Sequence, residues 1–358
     1  MKTVLYYDGA PANHEDKAIT KLENRGFKVV HYDAGVDKEE NWHGANKTFQ
    51  MYERLLNQTE GFDYLYFATN MQFAQFLYDL KTRPQMKTKI ILLNTLRGMD
   101  RSYQKCLCFK ELLDMPQVQR VVIHSMITED FVWPENIIQA DVNTDKIKLM
   151  PEPFDDIQEN LEVFQTKSKE EARRHFWIPQ DAYLVTWTGT WSQIRGPDIF
   201  VEALKYVKPD IKILIHRHFV GFDESLPSNL IDIAFENHPN TILIERRLTR
   251  EEYPAIYLAS DVIVCTHRKS YAYAISGLPA LAFKAKVPIV VPDIYTFNEV
   301  ANRFGVGLVY EAENPKSLGE TINRIKETEM KDARFDDALK GKEDWTDTSV
   351  VAFEGIES

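Results

Sequence analysis

The sequence predicts an α/β protein made of two parallel-sheet domains, and three observations carry that reading. Short runs rich in Val, Ile, Leu and Tyr alternate with longer segments of helical spacing from residue 1 to about 155. The alternation breaks in MPEPFDDIQENLEVFQTKSKEE, Met150–Glu171, where acids and prolines replace any strand pattern, and it restarts at Tyr183. The length of 358 residues suits two such domains, each large enough for its own core. Strands alternating with helices imply parallel sheets covered on both faces, with ligands beyond the carboxyl ends of the strands.

In the first half, Lys2–Tyr7, Phe27–Tyr32, Asp63–Ala68, Lys89–Leu93 and Arg120–His124 read as strands. Asn13–Arg25, closed by Gly26, and then Asn46–Thr59 and Asn70–Lys81 read as the helices between them. The strand-end residues Asp8, Gly9, Asn70, Asn94, Thr95, His124 and Ser125 are therefore the ones to watch. Residues 35 to 60 and 95 to 118 carry aromatics and charges without a recognisable pattern; Trp42, His43, Tyr52 and Tyr103 there either line a groove or pack.

In the second half, Tyr183–Thr188, Ile211–Ile215, Thr241–Ile244, Val262–Cys265 and Pro288–Val291 read as strands. The most informative stretch is Tyr183–Val207, YLVTWTGTWSQIRGPDIFVEALKYV: a strand, a polar loop between Gly189 and Gly196, and a helix opened by Pro197. Glycines let a backbone approach an anion, a helix start presents unpaired N–H groups, and Arg195 closes the loop as a bidentate phosphate ligand would. The competing reading is an ordinary strand-turn-helix with Arg195 a solvated charge.

The net charge of -11 gives no overall footprint for nucleic acid or an anionic membrane. Cys106, Cys108 and Cys265 are too few for a disulfide framework and fit a reducing, cytoplasmic setting. The opening MKTVLYYDGAP enters a strand without a charged-then-apolar leader, and no run approaches the ~18 apolar residues of a membrane span. There is no G-x-G-x-x-G turn after the first strand and no P-loop.

The order of motifs from about Val121 onward resembles the GT-B glycosyltransferases, specifically the large retaining family 4 that uses nucleotide sugars. Its G-R-x-S-x-x-K-G loop is similar to Gly189-Thr190-Trp191-Ser192-Gln193-Ile194-Arg195-Gly196. Its helix-then-strand "Y…aDv.v.pS" resembles TREEYPAIYLASDVIVCTHR, Thr249–Arg268. Its "EAmA.G.PVva" and "G.G.lv…np..L" stretches resemble LAFKAKVPIVVPDIYTFNEVANRFGVGLVYEAENPKSL, and DWTDTSVVAFEGI resembles its final helix.

The resemblance implies an acceptor-side domain over residues 1–155, a nucleotide-sugar domain over 156–330 facing it across a cleft, and a segment over 331–358 that crosses back to the first. It implies a donor pocket drawn from Gly9, Gly189, Thr190, Arg195, Gly196, His216, Arg247, Leu248, Arg268, Ser276 and Gly277. Arg247 and Leu248 fall where the base sits, Ser276 and Gly277 fall nearest the diphosphate, and His267, Arg268 and Lys269 join Arg195 at a strand end. The family's paired glutamates fall on Tyr273 and Leu281, its diphosphate arginine on Thr190, and its N-domain histidine on Asn94. That leaves Arg195, Tyr273 and Asn94 as the groups for chemistry. The resemblance implies no metal and no resident cofactor, with a nucleotide-diphosphate sugar as donor substrate; His216 and His218 read as polar lining rather than metal ligands.

Two functions follow. One is transfer of a sugar from a nucleotide-diphosphate sugar, such as a UDP-sugar, to an acceptor hydroxyl with retention. The other is a non-catalytic GT-B protein that binds a nucleotide or sugar as the scaffold partner of a glycosylation complex. The acceptor stays open among a glycan, a protein, a lipid head group and a modified base, as does a protein partner or a second copy of the chain.

Overall fold

A computed structural model describes residues 1–7, 15–32, 45–68, 73–94, 96–125, 127–151, 163–218, 225–274, 276–328, 330, 332–339 and 352–356. The contacts divide the chain into two compact units. One comprises Met1–Asp155, Tyr273–Ile275 and Asp344–Ser358; the other comprises Asp156–Ala272 and Ser276–Glu343.

The first unit holds a parallel sheet of β1 (Thr3–Tyr7), β2 (Lys28–His31), β3 (Tyr64–Phe67), β4 (Lys89–Asn94), β5 (Val118–Ser125) and β6 (Ile147–Pro151), in the order β2-β1-β3-β4-β5-β6. Alternate residues on each strand serve opposite faces, so the sheet has two separate cores. Leu5, Phe67, Leu92 and Ile123 meet Tyr52, Leu55, Phe76, Phe109 and Leu112 from helices Ala45–Asn57, Phe73–Lys81 and Tyr103–Asp114. Val4, Tyr6, Tyr66, Ile91 and Val122 meet Leu22 of helix Glu15–Asn24 and the C-terminal residues Ala352, Phe353 and Ile356. Phe353 stands 5.0 Å from Phe27 and 5.7 Å from Tyr66, centroid to centroid. Arg120 Nη1 donates to the carbonyls of Ala352 (3.1 Å) and Glu354 (2.8 Å), and Lys148 pairs with Glu354. The chain's end therefore covers part of the first sheet.

The second unit holds β7 (Tyr183–Thr190), β8 (Ile211–His218), β9 (Thr241–Ile244), β10 (Val262–Val264), β11 (Ile289–Pro292) and β12 (Gly307–Tyr310), in the order β12-β11-β10-β7-β8-β9 and all parallel. From the β9 edge this is the 3-2-1-4-5-6 dinucleotide-fold order, and the chain reverses direction across the sheet between β7 and β10.

Sequence pattern missed helix Tyr103–Asp114 and the edge strands β6 and β12. The helix is capped by Ser102, whose side chain accepts from Lys105 N–H, and buries Cys106, Phe109, Leu112 and Leu113 at helical spacing. Charged residues between those positions hid the periodicity. Tyr52 is buried against Phe67 and Phe76 rather than lining a groove. No helix among the described residues is long and apolar enough to cross a membrane.

Candidate functional site at the switch point of the second sheet

β7 runs to Thr190 through Gly189, whose φ of 148° only glycine adopts freely. A 3-10 turn over Gln193–Arg195 then leads through Gly196, at φ 62°, into helix Pro197–Ala203. A Cβ on Gly196 would stand 2.2 Å from Thr266 O, so this glycine brings the loop against the strand-end segment that follows β10. The junction is hydrogen-bonded throughout. Trp187 Nε1 donates to Thr266 Oγ1 (2.8 Å), which donates to Arg195 O (2.6 Å), and Arg268 N–H donates to Ile194 O (3.1 Å). The Arg268 side chain pairs with Asp198 and donates to Gln193 O (2.9 Å). Its charge is thus spent holding the loop.

Arg195 itself points elsewhere. Its Nη1 contacts His267 Nε2 and donates to Ser276 Oγ (3.1 Å), and its guanidinium lies 5.4 Å from the Tyr271 ring centroid. Ser276 is buried and caps helix Gly277–Lys284 by accepting from Leu278 N–H (3.4 Å). Gly277 is the first residue of that helix, and the space where its side chain would stand is open.

On the other side of β7, His216 is fully buried on β8, with Nδ1 2.8 Å from Thr188 Oγ1 and Nε2 3.1 Å from Arg246 O. A carbonyl only accepts, so Nε2 carries the proton and Thr188 donates to Nδ1. Both nitrogens are engaged, which takes His216 out of metal ligation. Arg246 forms a bidentate pair with Glu252 (2.6 and 2.7 Å), which also accepts from Thr249 N–H (2.9 Å) and contacts His175 (2.9 Å). The Arg246 bonds, with those from Thr249 and His175, hold the Glu252 carboxyl well below the usual range. This hub fixes the loop that presents Arg247 and Leu248.

These pieces converge on a cavity of about 260 Å³ lined by Gly189, Thr190, Arg195, His216, Arg247, Leu248, Tyr253 and Leu278. Six of the eight were expected from the sequence. Tyr253 and Leu278 were not, because each reaches the cavity from the first turn of a helix packed behind it. Burial raises the Tyr253 phenol, so it remains a protonated hydrogen-bonding group. Gly196, Arg268, Ser276 and Gly277 sit around the cavity as supports rather than lining it.

The remaining sequence-derived residues are not among those lining the cavity. Gly9 lies outside the described residues, and Asn94 is described only as the last backbone position of β4, paired in register with Ile123. Tyr273, at φ 61°, sorts with the first unit, its ring 6.2 Å from Phe131. Leu281 is buried in helix Gly277–Lys284.

The site's charge is uneven. Arg217 pairs with Glu245 (2.8 Å), Arg246 with Glu252 and Arg268 with Asp198. Arg195 and Arg247, the two arginines lining the cavity, have no carboxylate within ion-pair distance among the described residues. A cavity with two uncompensated guanidinium groups beside a helix start is suited to an anion.

Residues 168–341 match the sequence profile of the Glycosyl transferases group 1 family. A D-inositol 3-phosphate glycosyltransferase of Streptosporangium roseum is 26% identical over 176 residues, which is 46% of this chain and 39% of that protein. The chain thus aligns with well under half of that relative's length. Among solved structures, a glycosyltransferase of Rickettsia africae superposes with a TM-score of 0.69 at 13% identity, covering 100% of this chain and 99% of that one. HepE of Anabaena, solved in complex with UDP, superposes with a TM-score of 0.67 at 13% identity, covering 99% and 98%. The chain therefore has the GT-B fold, and its residues 168–341 match the Glycosyl transferases group 1 family.

Proposed function

We propose that this protein is a glycosyltransferase that takes a sugar from a nucleotide-diphosphate sugar and passes it to an acceptor hydroxyl with retention, without a metal. The observation that carries the reading is the pair Arg195 and Arg247 facing one cavity with no carboxylate partner among the described residues. The cavity lies at the carboxyl ends of β7 and β8, beside the switch point where doubly wound sheets bind nucleotides. HepE, of the same fold, is complexed with UDP, which makes UDP the first nucleotide to try.

In this mechanism Arg195 takes the charge that grows on the departing diphosphate, and the Gly277 N–H at the start of helix Gly277–Lys284 shares it. Arg247 and Leu248 border the nucleoside end. The cavity wall of Tyr253, Leu248 and Leu278 excludes water from the bond that breaks. The acceptor oxygen attacks from the face the diphosphate leaves, with its proton passing to the leaving phosphate, so no protein carboxylate is required. Apolar and aromatic residues at positions 281 and 273 are compatible with that route.

The test is calorimetry with UDP without metal, followed by a hydrolysis assay on UDP-sugars. Arg195→Ala should weaken UDP by about 10- to 150-fold, or ~1.5–3 kcal/mol, as loss of a charge-assisted contact does. Unchanged affinity would remove the donor site from this cavity. The buried Leu281 in place of a carboxylate favours a second reading, a nucleotide-binding partner without turnover. Tight UDP binding with no hydrolysis of any UDP-sugar above the protein-free rate would select it.

A further inference from the structure

Four arginines in this unit are held by carboxylates: Arg173 by Asp261 (2.6 Å), Arg217 by Glu245 (2.8 Å), Arg246 by Glu252 (2.6 Å) and Arg268 by Asp198. Arg195 is held by neutral groups instead: His267 Nε2, Ser276 Oγ and the face of Tyr271. A carboxylate would fix the guanidinium and cancel its charge together. A neutral acceptor fixes it and leaves the charge for a ligand.

We propose that His267 is the positioning residue of this site, holding Arg195 towards the anion through an unprotonated Nε2 so that the guanidinium keeps its full charge. The direction of the bond is set by chemistry: a guanidinium has donors only, so Nε2 accepts and the ring's proton sits on Nδ1. The ring is locked as well. His267 is 1% exposed, and its centroid lies 4.4 Å from Tyr271 and 4.7 Å from Phe297. Thr266, its neighbour in sequence, accepts from Trp187 and donates to Arg195 O. The backbone and side chain of Arg195 are thus both anchored to the segment after β10, so the β7 loop and the β10 end move as one piece. The positioning role matters for function only under the anion-binding reading above.

Two measurements separate this proposal from that reading. Two-bond ¹H–¹⁵N correlation spectra of the full-length chain without ligand should show His267 with Nδ1 protonated and Nε2 bare, and Arg195→Ala should abolish that single-tautomer signature. A proton on Nε2 in the wild type overturns the proposal whatever the protein binds. Calorimetry with UDP then tests the consequence. His267→Phe keeps a ring between Tyr271 and Phe297 but offers no acceptor, and should weaken UDP by about as much as Arg195→Ala, tenfold or more. The double variant should bind no more weakly than Arg195→Ala alone, because both changes remove one device. Losses that multiply in the double variant overturn the proposal. His267→Gln, whose amide oxygen can accept from Arg195, should recover affinity to within about threefold of wild type. If the wild type binds no UDP, the donor-site reading falls while the spectra still decide the role of His267.

Discussion

The two units are built on the same plan and differ in what fills the sheet near its switch point. Each has six parallel strands, and each reverses direction beside its first strand, between β1 and β3 in one and between β7 and β10 in the other. The first unit surrounds that place with rings: Tyr6 against Tyr66, Tyr7 against Phe67, and Phe353 against Tyr64 and Tyr66. The second buries polar pairs there: Thr186 with Ser260, Trp187 with Thr266, and Thr188 with His216. Rings need bulk and tolerate neighbours of many shapes, whereas a buried hydroxyl or imidazole needs one partner in one direction. The polar pairs of the second sheet therefore do more than fill space. They fix where the loop bearing Arg195 can lie, and that loop carries the cavity's charge.

The largest expected difference comes from glycines on the two units. Gly196→Ala forces a Cβ to 2.2 Å from Thr266 O at a φ of 62°, so the loop must leave the β10 end. A cost of at least about 3 kcal/mol is expected, combining a left-handed backbone with a backbone clash. Gly26→Ala in the first unit has a similar φ of 88° but open space around it, so only the backbone preference is lost, about 1 kcal/mol. Chemical denaturation of the two variants, with UDP calorimetry on the first, measures both. Equal costs would show that the Gly196 approach does not constrain the loop.

Acid separates the units by a different route. Burial pushes the His124 imidazole in β5 of the first unit down to about 3. The folded chain keeps it neutral while the unfolded chain takes up a proton near the ordinary value of about 6.5. The depressed value means that the stability is fully present above about pH 6.5 and is lost as pH falls towards 3. The loss from this group reaches about 2 kcal/mol at pH 5. Hydrogen-exchange protection of β5 amides should therefore fall between pH 7 and 5 more steeply in wild type than in His124→Asn. Identical slopes would mean that the imidazole is charged in the folded state. The Glu252 hub of the second unit, with its carboxyl held low, begins to weaken only below the ordinary carboxylate range.

The sequence made the sheets legible because β1, β3, β4, β7 and β8 are apolar runs buried on both faces. It missed β6 and β12, edge strands of only 5 and 4 residues, IKLMP and GLVY, too short to show a pattern of their own. The lining of the cavity was legible as far as the family resemblance reaches, which implied Gly189, Thr190, Arg195, His216, Arg247 and Leu248. Tyr253 and Leu278 escaped because helix packing brings them in, and no local pattern marks which side of a buried helix meets a cavity. Arg268 and Arg195 look alike in sequence as cations near strand ends. Only the position of Asp198 separates them, since it neutralises the first and not the second.

The smallest effect tests whether the buried pairs behave as directional devices. Ser260 Oγ donates to Ile256 O (2.7 Å), so its single proton is used, and Thr186 must be the donor in the 2.6 Å contact between the two hydroxyls. The substitutions are then unequal. Thr186→Val removes a donor and leaves Ser260 still bonded to Ile256, for a cost of about 1 kcal/mol. Ser260→Ala instead strands the Thr186 hydroxyl, buried at 0% exposure, without its acceptor, and should cost about 1 kcal/mol more. The double variant should be less destabilised than the sum of the two, because neither side is left with an unmet group. Denaturation midpoints of the three proteins read all of this. If the two single changes cost the same and add, the pair is ordinary packing, and the contrast between an aromatic first sheet and a polar-directed second one loses its physical basis.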